Sequence, residues 1–149
     1  MKVSDELIKQ TVETILSEAC AEPDENGIRK YREETSGVMC IKTKTIRAEP
    51  WEQPGVYLKQ ATSLEEAPRM GCGVMELDRD GTLEWTLTYD EYDYVIDGIL
   101  QIETNGKTIT GCQGDIILIP KDTPVIFKTP SSARYAYFVY PAATVDEIV

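Results

Sequence analysis

The sequence predicts a mainly β domain, an antiparallel sandwich or barrel, preceded by one short amphipathic helix. From about residue 37 onward, short runs rich in β-branched and aromatic residues are separated by turn segments. These turns are residues 52–55, 78–81 and 104–107. Residues 82–88 alternate strictly, which places Leu83, Trp85 and Leu87 together on the core face of one strand.

The predicted helix covers residues 4–20. Ser4 is a good N-cap, Asp5 and Glu6 favour the positive end of the helix dipole, and apolar residues then recur at helical spacing. Residues 22–27 combine a proline, three acids and an Asn-Gly pair, which is typical of a solvated connector. The predicted organisation is therefore a helix over 1–22, a linker over 23–36 and a β domain over 37–149.

Further strands are expected in the C-terminal half. Residues 99–103 and 107–110 flank an Asn-Gly turn and so predict a hairpin. Three more β-rich runs follow it. These are residues 115–119, 125–128 and 134–140.

Charge excludes several classes of partner. The chain has 15 basic and 26 acidic residues and a net charge of −11, so phosphate backbones and anionic lipid surfaces would repel it. The longest aliphatic run, residues 116–119, is far shorter than a membrane span, and the first residues lack the apolar stretch of a signal peptide. We expect a cytoplasmic protein that binds neither nucleic acid nor membranes.

Histidine is absent from the sequence, which excludes Ser-His-Asp and Cys-His catalysis and any site built on imidazole ligands. The four cysteines are scattered without a Cys-x-x-Cys pair, so neither a zinc knuckle nor a redox motif is predicted. We interpret the cysteines as reduced, mostly buried thiols.

Two segments resemble the signature motifs of the cupin superfamily. Residues 94–98 followed by the hairpin resemble the end of the first motif, and residues 114–120 resemble the second. The resemblance implies the cupin double-stranded β-helix, a jelly-roll barrel. Counted onto this chain, the four positions that bind metal in cupins are Trp85, Leu87, Glu91 and Val125. One carboxylate among three apolar side chains cannot hold a transition metal, so none is expected.

A narrower resemblance is carried by residues 87–95, 119–121 and 128–131. These segments resemble the protein Q family of bacterial ethanolamine utilisation. That resemblance implies association with a protein-shelled microcompartment and an acetate kinase activity, which exchanges phosphate between Mg-ATP and acetate. The sequence contains no G-x-x-x-x-G-K-[ST] phosphate loop, so the kinase expectation rests on the resemblance.

Partners are implied in the same way. The helix over residues 4–20 is similar to the encapsulation peptides that recruit enzymes into microcompartments, whose apolar stripe docks on shell or cargo proteins. A cupin commonly associates with a second copy, so a homodimer with an isologous interface is the expected assembly.

The candidate site is an acidic, tyrosine-rich segment at the predicted barrel mouth, where crowded acids raise one another's pKa. We assign acid/base roles there to Tyr89, Glu91 and Asp93. Side chains alternate between the two faces of a strand, so Asp93, Val95 and Asp97 should lie on the same pocket side as Glu91. The predicted substrate contacts are Glu76, Trp85, Tyr94, Lys59, Lys121 and Arg134, and the last three are also candidate partners for an inward acid.

Three functional hypotheses remain open at this point. The first is the acetate kinase, and the second is a non-catalytic adaptor for microcompartment assembly or cargo. The third is a cupin that senses a small molecule, since the acids could pair with an amine. All three use a small-molecule pocket or the detachable helix.

Overall fold

The fold was determined from a computed structural model that describes residues 2–142. Contacts divide the chain into two units, with the boundary between Arg47 and Ala48. Each unit is described by itself. The end of the predicted β domain, residues 143–149, lies outside the described residues.

The first unit contains the predicted helix and a small antiparallel sheet. Helix α1 spans Asp5–Ala19, and the Ser4 hydroxyl accepts a hydrogen bond from the Leu7 N–H at 3.2 Å, as expected of an N-cap. Three strands in the order β1-β2-β3 and a short 3₁₀ turn follow the helix. These are β1 (Glu22–Pro23), β2 (Arg29–Arg32), β3 (Met39–Ile41) and the turn Thr43–Thr45.

Residues 23–36, which the sequence indicates as a linker, contain regular structure. Strand β2 lies within them, and Asn26-Gly27 forms the turn that joins it to β1, with Gly27 at a φ of +76°. Asp24 accepts hydrogen bonds from the Asn26 and Ile28 amides and forms an ion pair with Lys30 at 2.9 Å. Asp24, one of the three acids that suggested a solvated connector, therefore stabilises a hairpin.

In the second unit, the helices and strands described for residues 48–142 are all β-strands, which confirms the mainly β prediction. Every strand that the sequence indicates in the C-terminal half is present. Most ends are displaced by a residue or two, but the strand predicted at residues 99–103 is the last part of a strand of 15 residues. The strands are β4 (Glu49–Pro50), β5 (Val56–Gln60), β6 (Gly71–Asp78), β7 (Leu83–Thr86), β8 (Asp90–Thr104), β9 (Lys107–Cys112), β10 (Ile116–Ile119), β11 (Pro124–Lys128) and β12 (Ser132–Tyr140).

Strand β8 belongs to two sheets and joins them into the barrel. Its first half pairs with β10 and β12, in a sheet of order β4-β5-β6-β12-β8-β10. Its second half pairs with β9 and β11, in a sheet of order β7-β11-β8-β9. All these pairings are antiparallel, and the two sheets enclose one apolar core.

A β-bulge lets β8 pass from one sheet to the other. Arg134 pairs with Asp97 but the next residue, Tyr135, pairs with Val95, so Ile96 is the extra residue. Gly98 follows at a φ of +77°, a conformation that favours glycine. Bulges of this kind bend a strand and increase its twist, which is how strands turn the corner between sheets.

The barrel interior is apolar apart from one strip of β8. Val95, Leu100 and Tyr135 are completely buried, and Tyr135 stacks on Phe127 with ring centroids 6.2 Å apart. Glu91 and Asp93 are the exceptions, since both point into this core. The barrel therefore holds two carboxyl groups where hydrocarbon would be expected.

Gly98 should be the glycine in this unit least able to accept a side chain. A Cβ there would lie 2.1 Å from the Ser132 carbonyl oxygen, so Gly98→Ala adds a backbone clash to the cost of the left-handed conformation. We expect urea unfolding to show a loss of at least about 3 kcal/mol. The matched control is Gly106→Ala, at a φ of +70° with no atom within 4 Å of the new Cβ, which should cost about 1 kcal/mol. Equal losses in the two variants would contradict the role of Gly98.

Candidate functional site

A small cavity with a volume of about 20 Å³ lies between the two sheets. Space of this size holds roughly one water molecule. Apolar side chains from both sheets form its walls, and one carboxyl group, that of Glu91, faces it. The lining residues are Trp51, Leu58, Met75, Leu83, Trp85, Leu87, Tyr89, Glu91, Phe127 and Tyr137.

Two tryptophans close part of this pocket. The rings of Trp51 and Trp85 lie 5.7 Å apart and are tilted by 57°, a geometry that aromatic pairs favour. Trp85 also hydrogen-bonds with the hydroxyl group of Tyr89, which is buried beside it. Trp51 follows the two-residue edge strand β4, in a turn closed by a bond of 2.9 Å from its N–H to the Val56 carbonyl.

Glu91 and Asp93 form a buried carboxyl pair. They occupy alternate positions on β8, so their side chains point to the same face, and they are only 5% and 0% exposed. The two carboxyl groups lie close enough to interact electrostatically. Two carboxylates cannot both remain ionised so close together in an apolar core, so the pair retains a proton.

Burial is the main cause of the altered pKa values in this pair. It raises the pKa of Glu91 from 4.5 to about 7. Burial, together with the neighbouring charge of Glu91, raises the pKa of Asp93 well above its usual range. The pKa values of Tyr89 and Tyr137 are also raised, first by burial and then by the charge of Glu91, so both phenols stay protonated.

Three polar atoms beside the pair are buried without a protein partner. Among the described residues, neither carboxyl oxygen of Asp93 has a hydrogen-bond partner, and neither has the Tyr137 hydroxyl group. The interaction with Glu91 is therefore a close electrostatic contact for Asp93 rather than a well-formed hydrogen bond. Unsatisfied buried groups of this kind cost free energy, which makes the neutral form of Asp93 the favoured one.

The four positions that the cupin motifs assign to metal ligands do come together. Trp85, Leu87 and Glu91 line the same cavity, and Val125 pairs with Trp85 across β7 and β11. An indole ring, two aliphatic side chains and one carboxyl group do not fit the transition metal that those motifs imply. Within residues 2–142, no three Cys, Asp or Glu side chains cluster in a group that could hold a metal ion.

Several predicted pocket residues lie on the outer face instead. Asp97 is exposed, because the bulge at Ile96 reverses the alternation that its assignment assumed. Tyr94 is exposed because it alternates with the inward Asp93 and Val95. The sequence-based placement of Asp97 was therefore wrong.

Three more of the predicted substrate-binding residues form ion pairs on the outside of the barrel. Glu76 and Arg134 face each other on β6 and β12 and form an ion pair, while Lys59 pairs with Glu49 at 3.0 Å. None of these charges neutralises the buried carboxyl pair. Lys121 lies closer to the carboxyl pair. Its backbone N–H donates a hydrogen bond of 2.9 Å to the carboxylate of Asp90, the residue that precedes Glu91 in the chain.

The structure adds residues that sequence reasoning missed. Trp51 lies in a turn far from the motifs, and no spacing pattern marks it as a pocket residue. Two tyrosines of β12 also belong to the site, since Tyr137 lines the cavity and Tyr135 lies within electrostatic reach of Asp93. Their alternation along β12 was the available signal.

No helix in the described part of the chain has the length and apolar character needed to span a bilayer.

Comparison with known proteins decides the family. A family model described as ethanolamine utilisation protein EutQ matches residues 3–146. The chain belongs to the EutQ family. This finding confirms the resemblance drawn from the sequence.

Named relatives agree with this assignment. A protein of Clostridioides difficile strain 630 called acetate kinase EutQ is 36% identical over 147 residues, which cover 94% of this chain and 93% of the relative. A protein of the same name from Salmonella typhimurium is 36% identical over 87 residues. The chain spans only 38% of the length of that Salmonella protein.

Solved EutQ structures share the fold. The Clostridium difficile EutQ structure has a TM-score of 0.75 at 38% identity and covers 81% of this chain and 100% of its own. The cupin domain of a transcriptional regulator from Enterobacter cloacae, at 15% identity and a TM-score of 0.53, covers 60% of this chain and 99% of its own. That likeness shows the fold alone, and together the comparisons confirm the cupin barrel.

The buried carboxyl pair should make this EutQ protein less stable as the pH rises. Folded-state pKa values above the unfolded ones mean that the native state binds more protons, so stability is fully present below about pH 4.5 and is lost as the pH rises through about 7. The Glu91 shift corresponds to a loss on the order of 3 kcal/mol.

Thermal and urea unfolding across this pH range can test the expected loss. Replacing the pair by Glu91→Gln with Asp93→Asn should flatten the dependence, whereas Glu84→Gln, at an exposed position on β7, should leave it unchanged. A double variant with the same pH dependence as the natural protein would show that the pair is not its cause.

Proposed function

We propose that this chain is an acetate kinase that transfers the γ-phosphoryl group of ATP to acetate and serves ethanolamine utilisation in the bacterial cytoplasm. The single observation that carries the proposal is the 36% identity to the Clostridioides difficile protein named acetate kinase EutQ, which extends over nearly the whole of both chains. The match covers 93% of that relative, so its name describes a protein of nearly the same length as the matched region.

The barrel pocket supports this proposal with a binding mode for acetate. A carboxyl group that stays protonated near neutral pH can donate a hydrogen bond, and a neighbouring carboxylate can accept it. Glu91 has this character because burial raises its pKa to about 7. The walls beside it, including Leu58, Leu83 and Leu87, suit the methyl group of acetate.

The pocket must open to admit a substrate. Its volume of about 20 Å³ suits one water molecule, so acetate requires the tryptophan pair to separate. Trp51 is suited to move because it lies in the turn beyond the short edge strand β4. A nucleotide is far larger than the pocket, so ATP would remain outside with its γ-phosphate at the mouth.

The chemical step then needs little from the protein beyond positioning and charge neutralisation. A carboxylate oxygen of acetate forms a bond to the γ-phosphorus while the bond from that phosphorus to the ADP oxygen breaks. Magnesium enters as the complex with ATP. Lys121, whose backbone contacts Asp90 beside the pocket, is the candidate for neutralising the phosphoryl group.

Acetyl phosphate production from Mg-ATP and acetate tests the proposal directly. The KM for acetate should rise between about pH 6 and about pH 8.5, because ionised Glu91 cannot donate a hydrogen bond and repels acetate. Glu91→Gln keeps a donor and should make this KM independent of pH, whereas Glu91→Leu should lower kcat/KM roughly 100-fold or more.

Intrinsic fluorescence separates binding from catalysis. The chain contains two tryptophans, both at the pocket, so acetate should change their emission even without ATP. Glu84→Gln is the matched control and should behave as the natural protein does. Absence of acetyl phosphate above background would reject the kinase, and a Glu91→Gln profile identical to the natural one would reject the binding mode.

A second role is favoured by helix α1. Its apolar residues Leu7, Ile8, Val12, Ile15 and Leu16 are all between 48% and 58% exposed. An apolar stripe of this size is typical of a helix that docks in a partner's groove. We therefore propose that α1 binds shell or cargo proteins of a microcompartment, as an adaptor would, with or without catalysis.

Localisation of the full chain with a C-terminal fluorescent fusion tests this role in cells that form the compartment. The natural protein should give foci, and Ile8→Glu with Ile15→Glu should give diffuse signal because charge interrupts the stripe. Gln10→Glu alters the opposite face of α1 and should preserve the foci. Foci that persist in the double variant would exclude docking through α1.

A further inference from the structure

The hydroxyl group of Tyr137 is buried at the pocket without a protein partner. Tyr137 lies on β12, is only 3% exposed and lines the cavity that Glu91 faces. Within the described residues, its hydroxyl group has no hydrogen-bond partner. A buried phenol ordinarily finds one, because leaving the group unpaired costs free energy. Phenylalanine would fill the same space without that cost, so the hydroxyl group needs an explanation other than packing.

The neighbouring buried tyrosines differ from Tyr137 in this respect. Tyr135, two residues earlier on β12, donates a hydrogen bond of 3.2 Å to the sulfur of Met75. Tyr89 hydrogen-bonds with Trp85. Both of these hydroxyl groups are satisfied within the chain. The hydroxyl group of Tyr137 is therefore the one available to a molecule in the cavity.

The glycine at position 73 makes room for the hydroxyl group of Tyr137. Gly73 lies opposite Tyr137 on β6, and a Cβ there would overlap the hydroxyl oxygen. The phenol also borders a second cavity of about 10 Å³, which is at or below the space that one water molecule needs. The cavity shared with Glu91 is the larger of the two and so offers the better place for a binding partner.

We propose that Tyr137 and Glu91 together bind the carboxylate of a short monocarboxylic acid, with one donor for each carboxylate oxygen. The protonated Glu91 side chain donates to one oxygen, and the Tyr137 hydroxyl group donates to the other. Each oxygen then has a partner that replaces water, and hydrogen bonds to an ionised acceptor are the stronger kind. Acetate as the identity of this acid rests on the proposed function, to which Tyr137 adds the second half of the binding site.

The two donors differ in their dependence on pH. The titratable groups that interact electrostatically with the Tyr137 hydroxyl group are Glu91, Cys72 and Tyr89. Burial, and then the charge of Glu91, raises the pKa of Tyr137 above its ordinary value of 10, so the phenol keeps its proton. Glu91 loses its proton as the pH passes its pKa of about 7. Tyr137 should therefore contribute equally at pH 6 and at higher pH, whereas Glu91 should not.

The walls of the cavity restrict the acid to one with an apolar tail. Leu58, Leu83 and Leu87 are among the lining residues, which include no basic side chain. A hydroxyl group or second carboxylate on the bound acid would be desolvated there without a partner. We expect glycolate, which is acetate with one additional hydroxyl group, to bind roughly 10- to 100-fold more weakly than acetate.

Acetate binding without ATP tests the role of Tyr137. Measured by tryptophan fluorescence at pH 6, Tyr137→Phe should raise the dissociation constant roughly 10- to 100-fold, because a hydrogen bond to a charged group is lost. The pH dependence of binding should persist in this variant, since Glu91 is unchanged. Tyr140→Phe is the matched control. It is the same substitution on the same strand at an outward, 63% exposed position, and it should leave the dissociation constant unchanged.

Thermal unfolding without ligand separates a binding role from a structural one. Tyr137→Phe removes an unsatisfied buried hydroxyl group, so it should raise the Tm or leave it unchanged. Tyr135→Phe removes a hydroxyl group that has a partner and should lower the Tm. A lower Tm in Tyr137→Phe together with an unchanged dissociation constant would mean that the hydroxyl group serves the fold alone, and would overturn the proposal.

Steady-state kinetics distinguish failure of this site from failure of the kinase. Tyr137 holds the oxygen that does not attack phosphorus, so its hydrogen bond is present in the bound substrate and in the transition state. Tyr137→Phe should therefore raise the KM for acetate and leave kcat within about twofold. Acetate binding that depends on Tyr137, without formation of acetyl phosphate, would reject the kinase and keep the site. Formation of acetyl phosphate with an unchanged KM in Tyr137→Phe, or absence of acetate binding, would overturn the site.

Discussion

The passage of β8 from one sheet to the other is the constraint on which the barrel depends. A strand of 15 residues can belong to two sheets only if its side-chain alternation is reset where it turns, and the bulge at Ile96 provides that reset. Before the bulge, Glu91, Asp93 and Val95 point inward, and after it Leu100 and Ile102 do. The same device places Asp97 outside. Glycine at position 98 is needed because the carbonyl of Ser132 occupies the space where a Cβ would be.

The site that results is a modified version of the cupin pocket. Aliphatic side chains and an indole ring occupy the positions of the metal-binding histidines. The cavity beside them has room for about one water molecule. Glu91 keeps its place, but the residues that line the pocket include no basic side chain to compensate its charge. Asp93, buried beside it, adds a second acid without a cation. Protonation makes such a pair tolerable in an apolar core, so the pair in the pocket retains a proton.

Local patterns in the sequence were sufficient for most of the fold and for part of the site. Alternation over residues 82–88 placed Leu83 and Leu87 inward, and motif spacing placed Glu91 among the pocket residues, because both signals act over one strand. Failures came from interactions between strands. Glu76 and Arg134 were expected in the pocket, but their outward direction follows from the pairing of β6 with β12. Trp51 could not be predicted, since its position depends on how an irregular turn folds over the barrel.

The two faces of the sheet that contains β8 and β12 differ in character. Inward residues of these strands surround a small pocket whose chemistry depends on a retained proton, while Tyr92, Tyr94, Phe138 and Tyr140 point outward. Alternation makes the two faces separable, because neighbouring positions such as Glu91 and Tyr92 point in opposite directions. It also couples them mechanically, since any movement of β8 shifts both faces at once. A ligand that changes the charge on Glu91 would therefore act on a strand that also presents Tyr92 and Tyr94 on its outer face.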